Sequence, residues 1–343
     1  MAVRIRPLSP ASAPAWDEFV HAKSDGTFFH LAAWADVIES AFRHRTHYVF
    51  AERDGAISGV LPLVQLKTLL FGHSLVSNPF CVYGGPLAAD PESLAALEAH
   101  AAALQDRTGA GALEFRHRDP VESDWIAGPD LYVTFRKPIQ ADHDRNMKAI
   151  PRKQRAMVRK AMQNGLASVC HDDVGVLHRI YADSVRNLGT PVFPQRYFAL
   201  LLERFRDHAD IVTVMDGETP IASVLNFYFR DEVLPYYGGG TPAARLRAGN
   251  DFMYWEVMRR AADRGMRLFD FGRSKRGTGA FSFKHNWGFE DAGLHYRFRL
   301  AAGQAIPDHN PLNPKFRFFI AAWKRLPLPV ANLLGPPIVR GLG

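Results

Sequence analysis

Cysteine is nearly absent from this 343-residue chain. Only Cys81 and Cys170 occur, far apart, with no CxxC pair and no Cys/His spacing of a zinc site. This excludes a disulfide scaffold and argues against structural metal; two scattered thiols suit a reducing compartment, with one disulfide left open. No stretch approaches the roughly 20 apolar residues that span a bilayer. The nearest, Leu326 to Val339, has 14 residues and four prolines. The start, MAVRIRPLSPASAPAWDEF, lacks the apolar centre of a signal peptide. There is no GxSxG, no Walker A order and no Ser/His/Asp or Cys/His signature. The expectation is a soluble cytoplasmic protein with no metal and no tightly bound cofactor. Hydrophobic residues at 47% against 22% charged permit a buried core and exclude general disorder. The length suits two domains of about 150 residues each.

Charge is mildly basic: 42 Lys+Arg against 35 Asp+Glu give +7, which permits an anionic partner without demanding one. Acid is missing from one stretch altogether. Arg145, Lys148, Arg152, Lys153, Arg155, Arg159 and Lys160 follow one another with no Asp or Glu between the first and the last. On a helix starting near Pro151, Arg152, Arg155 and Arg159 share a face, where like charges repel. That face is either a solvated linker helix or a surface for the phosphates of a nucleotide or RNA.

The chain also repeats itself. YVFAERDGAISGVLPL at 48–63 and IVTVMDGETPIASVLN at 211–226 are both strand, Asp-Gly turn, strand. CVYGGPL at 81–87 then matches PYYGGGTP at 235–242. Helical stretches follow at Pro91 to Arg107 and Asn250 to Arg264, stopped by Gly109 and Gly265, and short strands at 113–115 and 269–271 close each copy. The offsets are 162, 154 and 156 (216 − 54, 237 − 83, 269 − 113). The expectation is an α/β (α+β) tandem duplication, with mixed sheets flanked by helices. Its parts are a first domain at 1–140, a basic linker helix at 141–166, a second domain at 167–300 and a Pro/aromatic/basic tail at 301–343.

Candidate site residues gather in the second copy. After the strand at 269–271 come Gly272, Arg273, Ser274, Lys275, Arg276, Gly277, Thr278 and Gly279, leading into a helix. Glycine lets backbone N–H groups approach an anion, and a helix start adds partial positive charge. The segment reads as an anion site or as a basic surface loop. Asp270 is a possible base or the cap of the next turn. Tyr236 and Tyr237, before three glycines, suit substrate contact or proton relay, or a strand end in the core. Asn226, among apolar neighbours, is a network or a site residue. Asn250 and Asp251 read as a helix N-cap pair.

The segments RKQRAMVRKAMQNGL (152–166) and FDFGRSKRGTGAFSFKHNWGFE (269–290) resemble the Fem family of non-ribosomal aminoacyl and peptidyl transferases. The pattern is most similar to Fem-like proteins associated with exosortase/PEP-CTERM systems and exopolysaccharide loci, over roughly 15–300. The resemblance implies two GNAT-like acyl-CoA N-acyltransferase domains and an amide-forming reaction, in which an acceptor amine attacks an activated acyl carbonyl. The donor would be acyl-CoA or aminoacyl-tRNA. The acceptor would be an amino-sugar or peptide, possibly lipid-linked, in cell-envelope or exopolysaccharide synthesis; DNA is not implied. Lys284 matches the lysine of the family's FKxxFG segment, which implies stabilisation of transition-state charge. Asp270 and Tyr237 stand beside it as catalytic candidates. Arg273, Ser274, Lys275, Gly277, Thr278, Gly279 and Arg159 are donor-binding candidates, and Tyr236, Asn226 and Trp287 substrate-binding ones. Trp287 and Phe289 read first as a packed wall rather than a ligand contact.

Two departures stand out. Ile38, in AAWADVIES, occupies about the place of a family lysine that helps bind the peptidoglycan precursor, and 171–210 leaves no room for a coiled-coil arm. Reaction class therefore transfers better than substrate. The tail sets Phe318, Phe319, Ala322 and Trp323 among Lys315, Arg317, Lys324 and Arg325, which suits either peripheral contact with an anionic membrane or packing onto the domains. The rival readings are a non-catalytic scaffold of a polysaccharide-export system and a plain RNA-binding protein.

Overall fold

The computed structural model describes residues 2–68, 71–307 and 314–343, apart from the side chains of 314–317. It divides into two compact units. Of the described residues, one holds those within 2–130, 293–307 and 340–343; the other holds 131–292 and 314–339.

In the first unit the hairpin Val49–Arg53 and Ala56–Leu61 turns at Asp54-Gly55, both with positive φ, as the Asp-Gly signal requires. It sits in a four-stranded sheet with Arg4–Pro7 and Leu87–Ala88. Pro62, which has no N–H to give a ladder, separates Leu61 from the next strand, Leu63–Thr68. That strand opens a six-stranded sheet: Arg45–Thr46, Leu63–Thr68, Gly72–Ser77, Ala112–His117, His295–Leu300, Ile126–Ala127. The helix Pro91–Thr108 starts where Asp90 accepts from the Ser93 N–H and stops at Gly109, φ +68. It buries Leu97, Ala101 and Leu104 against Leu61, Leu75 and Phe115.

The second unit repeats this plan in one eight-stranded sheet. Its main path runs Ala167–His171, Ala209–Asp216, Thr219–Phe229, Glu232–Gly240, Leu268–Asp270, Tyr132–Pro138, Ser274–Lys275. Val212, Val224, Val233 and Phe269 form a core with Met253 and Val257 of the helix Gly249–Asp263. The helix Val174–Leu188 packs against the strands Thr219–Phe229 and Glu232–Gly240.

The expected boundaries need correcting at three places. Tyr132–Pro138, placed in the first domain by the repeat, is antiparallel to Leu268–Asp270 in the second unit. His295–Leu300, placed in the second, pairs with Ala112–His117 in the first. These strands stand 163 residues apart (295 − 132), close to the repeat offset, so the duplicated halves have exchanged their equivalent strands. The basic helix Arg152–Gln163 is no linker: it buries Gln154, Val158 and Ala161 and packs on Gly249–Asp263.

The tail forms helices Pro314–Trp323 and Leu328–Val339. Lys315 and Arg317 fall outside the described side chains, while Lys324 and Arg325 are exposed. Among the described residues no helix is long and apolar enough to cross a membrane, no disulfide involves Cys81 or Cys170, and no cluster could hold a metal ion.

Candidate active site

The site begins where two parallel strands part. Glu232–Gly240 and Leu268–Asp270 pair only at Glu232↔Leu268 and Val233↔Phe269. The longer strand continues seven residues with no strand on that side among the described residues. Its partner on the other side explains the bend. The register with Thr219–Phe229 shifts at Leu225/Asn226, opposite Pro235, which cannot donate to the ladder. A bulge there sharpens the local twist and turns the strand away.

At the mouth of this opening lies the turn after Asp270, held from both sides. The Asp270 carboxylate is fully buried; Oδ1 accepts from the Gly272 N–H at 2.7 Å and from Thr134 Oγ1 at 3.1 Å, and Oδ2 lies 3.4 Å from Arg136 Nε. Lys284 Nζ donates to the carbonyls of Phe271, Gly272 and Arg273 at 2.6, 2.9 and 3.1 Å. Three acceptors demand three N–H donors, so the geometry is that of the ammonium. Burial nevertheless pushes the amine down to about 7, with Asp270 opposing and Arg273 adding to the fall. Gly272 takes φ +66, and Tyr236 Cδ2 lies 4.0 Å from where a side chain at Gly272 would begin. Lys284, Asp270, Arg273 and Tyr236 therefore meet around one turn. Asp270 is the cap of that turn, the second of its two readings.

Other candidates fall elsewhere. Tyr237 is buried among Tyr181, Phe193 and Phe198, its hydroxyl 2.9 Å from that of Tyr197. Asn226 is a network residue: Nδ2 donates to Asp210 Oδ1 at 2.8 Å, and Asp210 also receives Tyr228 and Arg264. Trp287 is wall rather than substrate contact, since it is fully buried against Tyr254, Phe271 and Phe283. The segment after Arg273 differs from an open basic loop. Ser274 and Lys275 are buried as a two-residue strand beside Tyr132 and Val133, and Arg273 lies over the Tyr132 ring at 4.8 Å. Ser274 Oγ has no partner among the described residues. Gly277 turns the chain at φ +77, and Thr278 Oγ1 caps the helix Gly279–Asn286 by accepting from Phe281 N–H. Arg159 is exposed on the basic helix. Among the described residues no carboxylate pairs with Arg152, Lys153, Arg155, Arg159 or Lys160. Ile38 is fully buried.

The N-cap reading of Asn250 and Asp251 needs correcting. The helix starts earlier, at Gly249 after Ala248 in the left-handed region, so Asn250 and Asp251 lie in its first turn and do not cap it. Asp251 Oδ1 accepts from Trp287 Nε1–H at 3.0 Å, and burial pushes its carboxyl up to about 6. No spacing signal could pair residues 251 and 287.

The first unit lacks a comparable opening between its parallel strands Gly72–Ser77 and Ala112–His117. There Ser77 Oγ accepts from Arg116 N–H at 2.9 Å, and Gly84 and Gly85 donate to the Arg116 carbonyl.

The second half of the chain has a GNAT-like fold, a mixed sheet whose parallel strands part beside a cation-pinned turn. Residues 152–285 match the family model described as an acetyltransferase (GNAT) domain. Solved structures extend the likeness to the tandem fold. FemX is 15% identical with a TM-score of 0.66, over 85% of this chain and 96% of that one. A tandem GNAT protein from the clavulanic acid biosynthesis pathway is 12% identical at 0.54, over 88% and 100%. The L-PGS of Bacillus licheniformis is 12% identical at 0.53, over 93% and 97%. No protein of curated function matches the sequence.

Proposed function

We propose that the second unit is an N-acyltransferase that forms an amide on an amino-bearing glycan or peptide acceptor in cell-envelope or exopolysaccharide synthesis. The observation that carries the reading is the parting of Glu232–Gly240 from Leu268–Asp270 after two residue pairs, within the stretch that matches a GNAT domain. An extended acyl donor fits such an opening, because unpaired main-chain groups of the longer strand can hydrogen-bond it as a strand would. The acceptor nitrogen attacks the acyl carbonyl carbon. A C–N bond forms, the donor's C–S or C–O bond breaks, and the amine proton leaves with the departing group or through water. Lys284 supplies positive charge beside the reacting carbonyl and holds the turn in shape. Tyr236 orients the substrate. Arg273, Lys275 and Arg159 face donor phosphates, with Ser274, Gly277, Thr278 and Gly279 around them. Asp270 and Tyr237 act by positioning.

A membrane-borne acceptor suits the tail. On Leu328–Val339, Val330, Leu333, Leu334 and Pro337 form an exposed stripe at i, i+3, i+4, i+7, and residues 310–343 contain no Asp or Glu. An apolar stripe flanked only by cations matches an anionic bilayer surface.

The deciding experiment incubates the protein with coenzyme A, acetyl-CoA and charged tRNA separately, following the melting temperature and the mass of an added amino-sugar or peptide acceptor. Stabilisation by a CoA species with acetylated acceptor fixes an acyl-CoA donor; stabilisation by charged tRNA alone with aminoacylated acceptor fixes the Fem-type donor. Tight, salt-sensitive tRNA binding with no amide product refutes the transferase reading in favour of RNA binding.

A further inference from the structure

The first unit carries a cleft of about 830 Å³, lined by none of the candidate site residues of the second unit. Two of its elements bring basic groups to its lining. On Pro91–Thr108, His100, Leu104 and Arg107 stand four and three residues apart, one stripe lining the cleft. Arg45 and His47 come from the strand Arg45–Thr46 and the residue after it, beyond the helix Trp34–Phe42. The cleft's carboxylates are already engaged. Asp17 accepts from Ala32 N–H at 2.8 Å, Asp36 from Ser40 Oγ at 3.3 Å, and Glu39 from the Thr46 N–H and hydroxyl. The arginines are not. Among the described residues neither Arg45 nor Arg107 has an ion pair or a side-chain hydrogen bond, although both guanidinium groups act on His47.

His47 is prepared for a particular proton. Gln65 Oε1 lies 3.2 Å from His47 Nε2, and Gln65 Nε2 lies 2.8 Å from His73 Nε2. An amide nitrogen only donates and its oxygen only accepts, so this relay assigns the neutral His47 proton to Nε2 and leaves Nδ1 as a bare lone pair. Burial holds both His47 and His100 below the ordinary imidazole range; Arg45 and Arg107 add to the fall at His47, and Arg107 and His47 add to it at His100. Only Glu39 and the Gln65 hydrogen bond oppose it at His47. Pro7, Leu8 and Pro10 give the cleft an apolar lip.

We propose that this cleft is a binding site for the phosphate or carboxylate group of an amphiphilic ligand, seated between Arg45, Arg107, His47 and His100. A bound anion opposes the burial and the repulsion that hold the imidazoles below their ordinary range, so binding takes up a proton at His47 Nδ1, which then donates to the anion. The assignment stands independently of acyl transfer, and its test reads binding alone.

Sulfate stands in for a phosphate group and acetate for a carboxylate; both keep constant charge between pH 6 and 8. Each is titrated into the full chain carrying labelled histidine, at fixed ionic strength, while the imidazole resonances and, by calorimetry in buffers of different ionisation heat, the proton uptake are followed. The expected result is saturable binding that raises the His47 pKa and tightens by up to about tenfold per pH unit on acidification. Arg107→Gln and Arg45→Gln each weaken it at least tenfold, about 1.4 kcal/mol. His47→Gln still binds but without proton uptake. Tighter sulfate than acetate assigns a phosphate-bearing ligand, and the reverse a carboxylate. No saturation with either ion, or binding indifferent to both arginine variants, overturns the site; binding without proton uptake overturns the role of His47.

Discussion

Replacing Asp251 by Asn tests the electrostatics of the second unit without disturbing its packing. The side chain is 9% exposed and accepts from Trp287 Nε1–H at 3.0 Å; Asn Oδ1 can accept the same bond. Burial raises the carboxyl from 3.8 to about 6, against the pull of the Trp287 bond. The difference of about two units corresponds to about 3 kcal/mol between the two protonation states. The sign follows from linkage. The folded protein binds this proton more tightly than the unfolded chain, so the contribution is fully present below pH 3.8 and is lost as pH rises through about 6. At pH 8 the native state carries a poorly solvated carboxylate. Asn removes that charge but must desolvate its own NH2, at about 1 kcal/mol. Asp251→Asn is therefore expected to stabilise by about 2 kcal/mol at pH 8, or roughly 4–8 °C in melting temperature. The gain should shrink as pH falls and give way to a small loss by pH 4, where Asp251 is protonated and the cost of burying the Asn NH2 remains. Denaturant unfolding of both proteins at pH 8, 6 and 4 measures it. A variant less stable than the parent at pH 8, or a gain independent of pH, refutes the reasoning.

Other expectations bear on function. Lys284→Met leaves three carbonyls without their donor and should reduce amide formation by about a hundredfold or more with the fold retained by circular dichroism; undiminished turnover would remove Lys284 from the mechanism. Neutralising Arg152, Arg155 and Arg159 together should weaken binding of a nucleic-acid donor and flatten the salt dependence of log K by about two to three, as expected for roughly 0.7–0.9 per lost phosphate contact. An unchanged slope would make the helix face a solvated surface. Leu333→Asp with Leu334→Asp should abolish co-sedimentation with vesicles of one-third phosphatidylserine without altering the melting temperature, because Leu333 is 75% and Leu334 45% exposed; persistent sedimentation would exclude this stripe as the contact.

Local signals carried most of the fold. Asp54-Gly55 turns the first hairpin, Gly217-Glu218 (one residue on from the expected Asp-Gly) turns the second, and the helices Pro91–Thr108 and Gly249–Asp263 lie within a residue or two of their expected spans. Each of those features is decided by neighbours in sequence. What the sequence hid depends on distant pairing: Tyr132–Pro138 joins Leu268–Asp270 across 130 residues (268 − 138), and nothing in either strand names its partner. At the site, the motif singled out Lys284, but it did not show that all three of its donors point at the turn after Asp270. Trp287 reads first as wall, and its burial against Tyr254 agrees with that. Ser274 and Lys275 lay in a glycine-rich, cationic string that reads as open loop, yet strand pairing with Tyr132 and Val133 buries them.

The exchanged strands also set a timetable for the nascent chain. Ala112–His117 leaves the ribosome without the neighbour His295–Leu300 that completes its edge, and about 180 residues (295 − 117) must still be made. At about 5–20 residues per second that is roughly ten to forty seconds with an open edge, the condition that invites mispairing between chains. Cutting the gene at the repeat boundary would make the delay permanent for both halves. Of the two similar modules, one must wait for residues 268–270 and the other for residues 295–300 before its sheet can close.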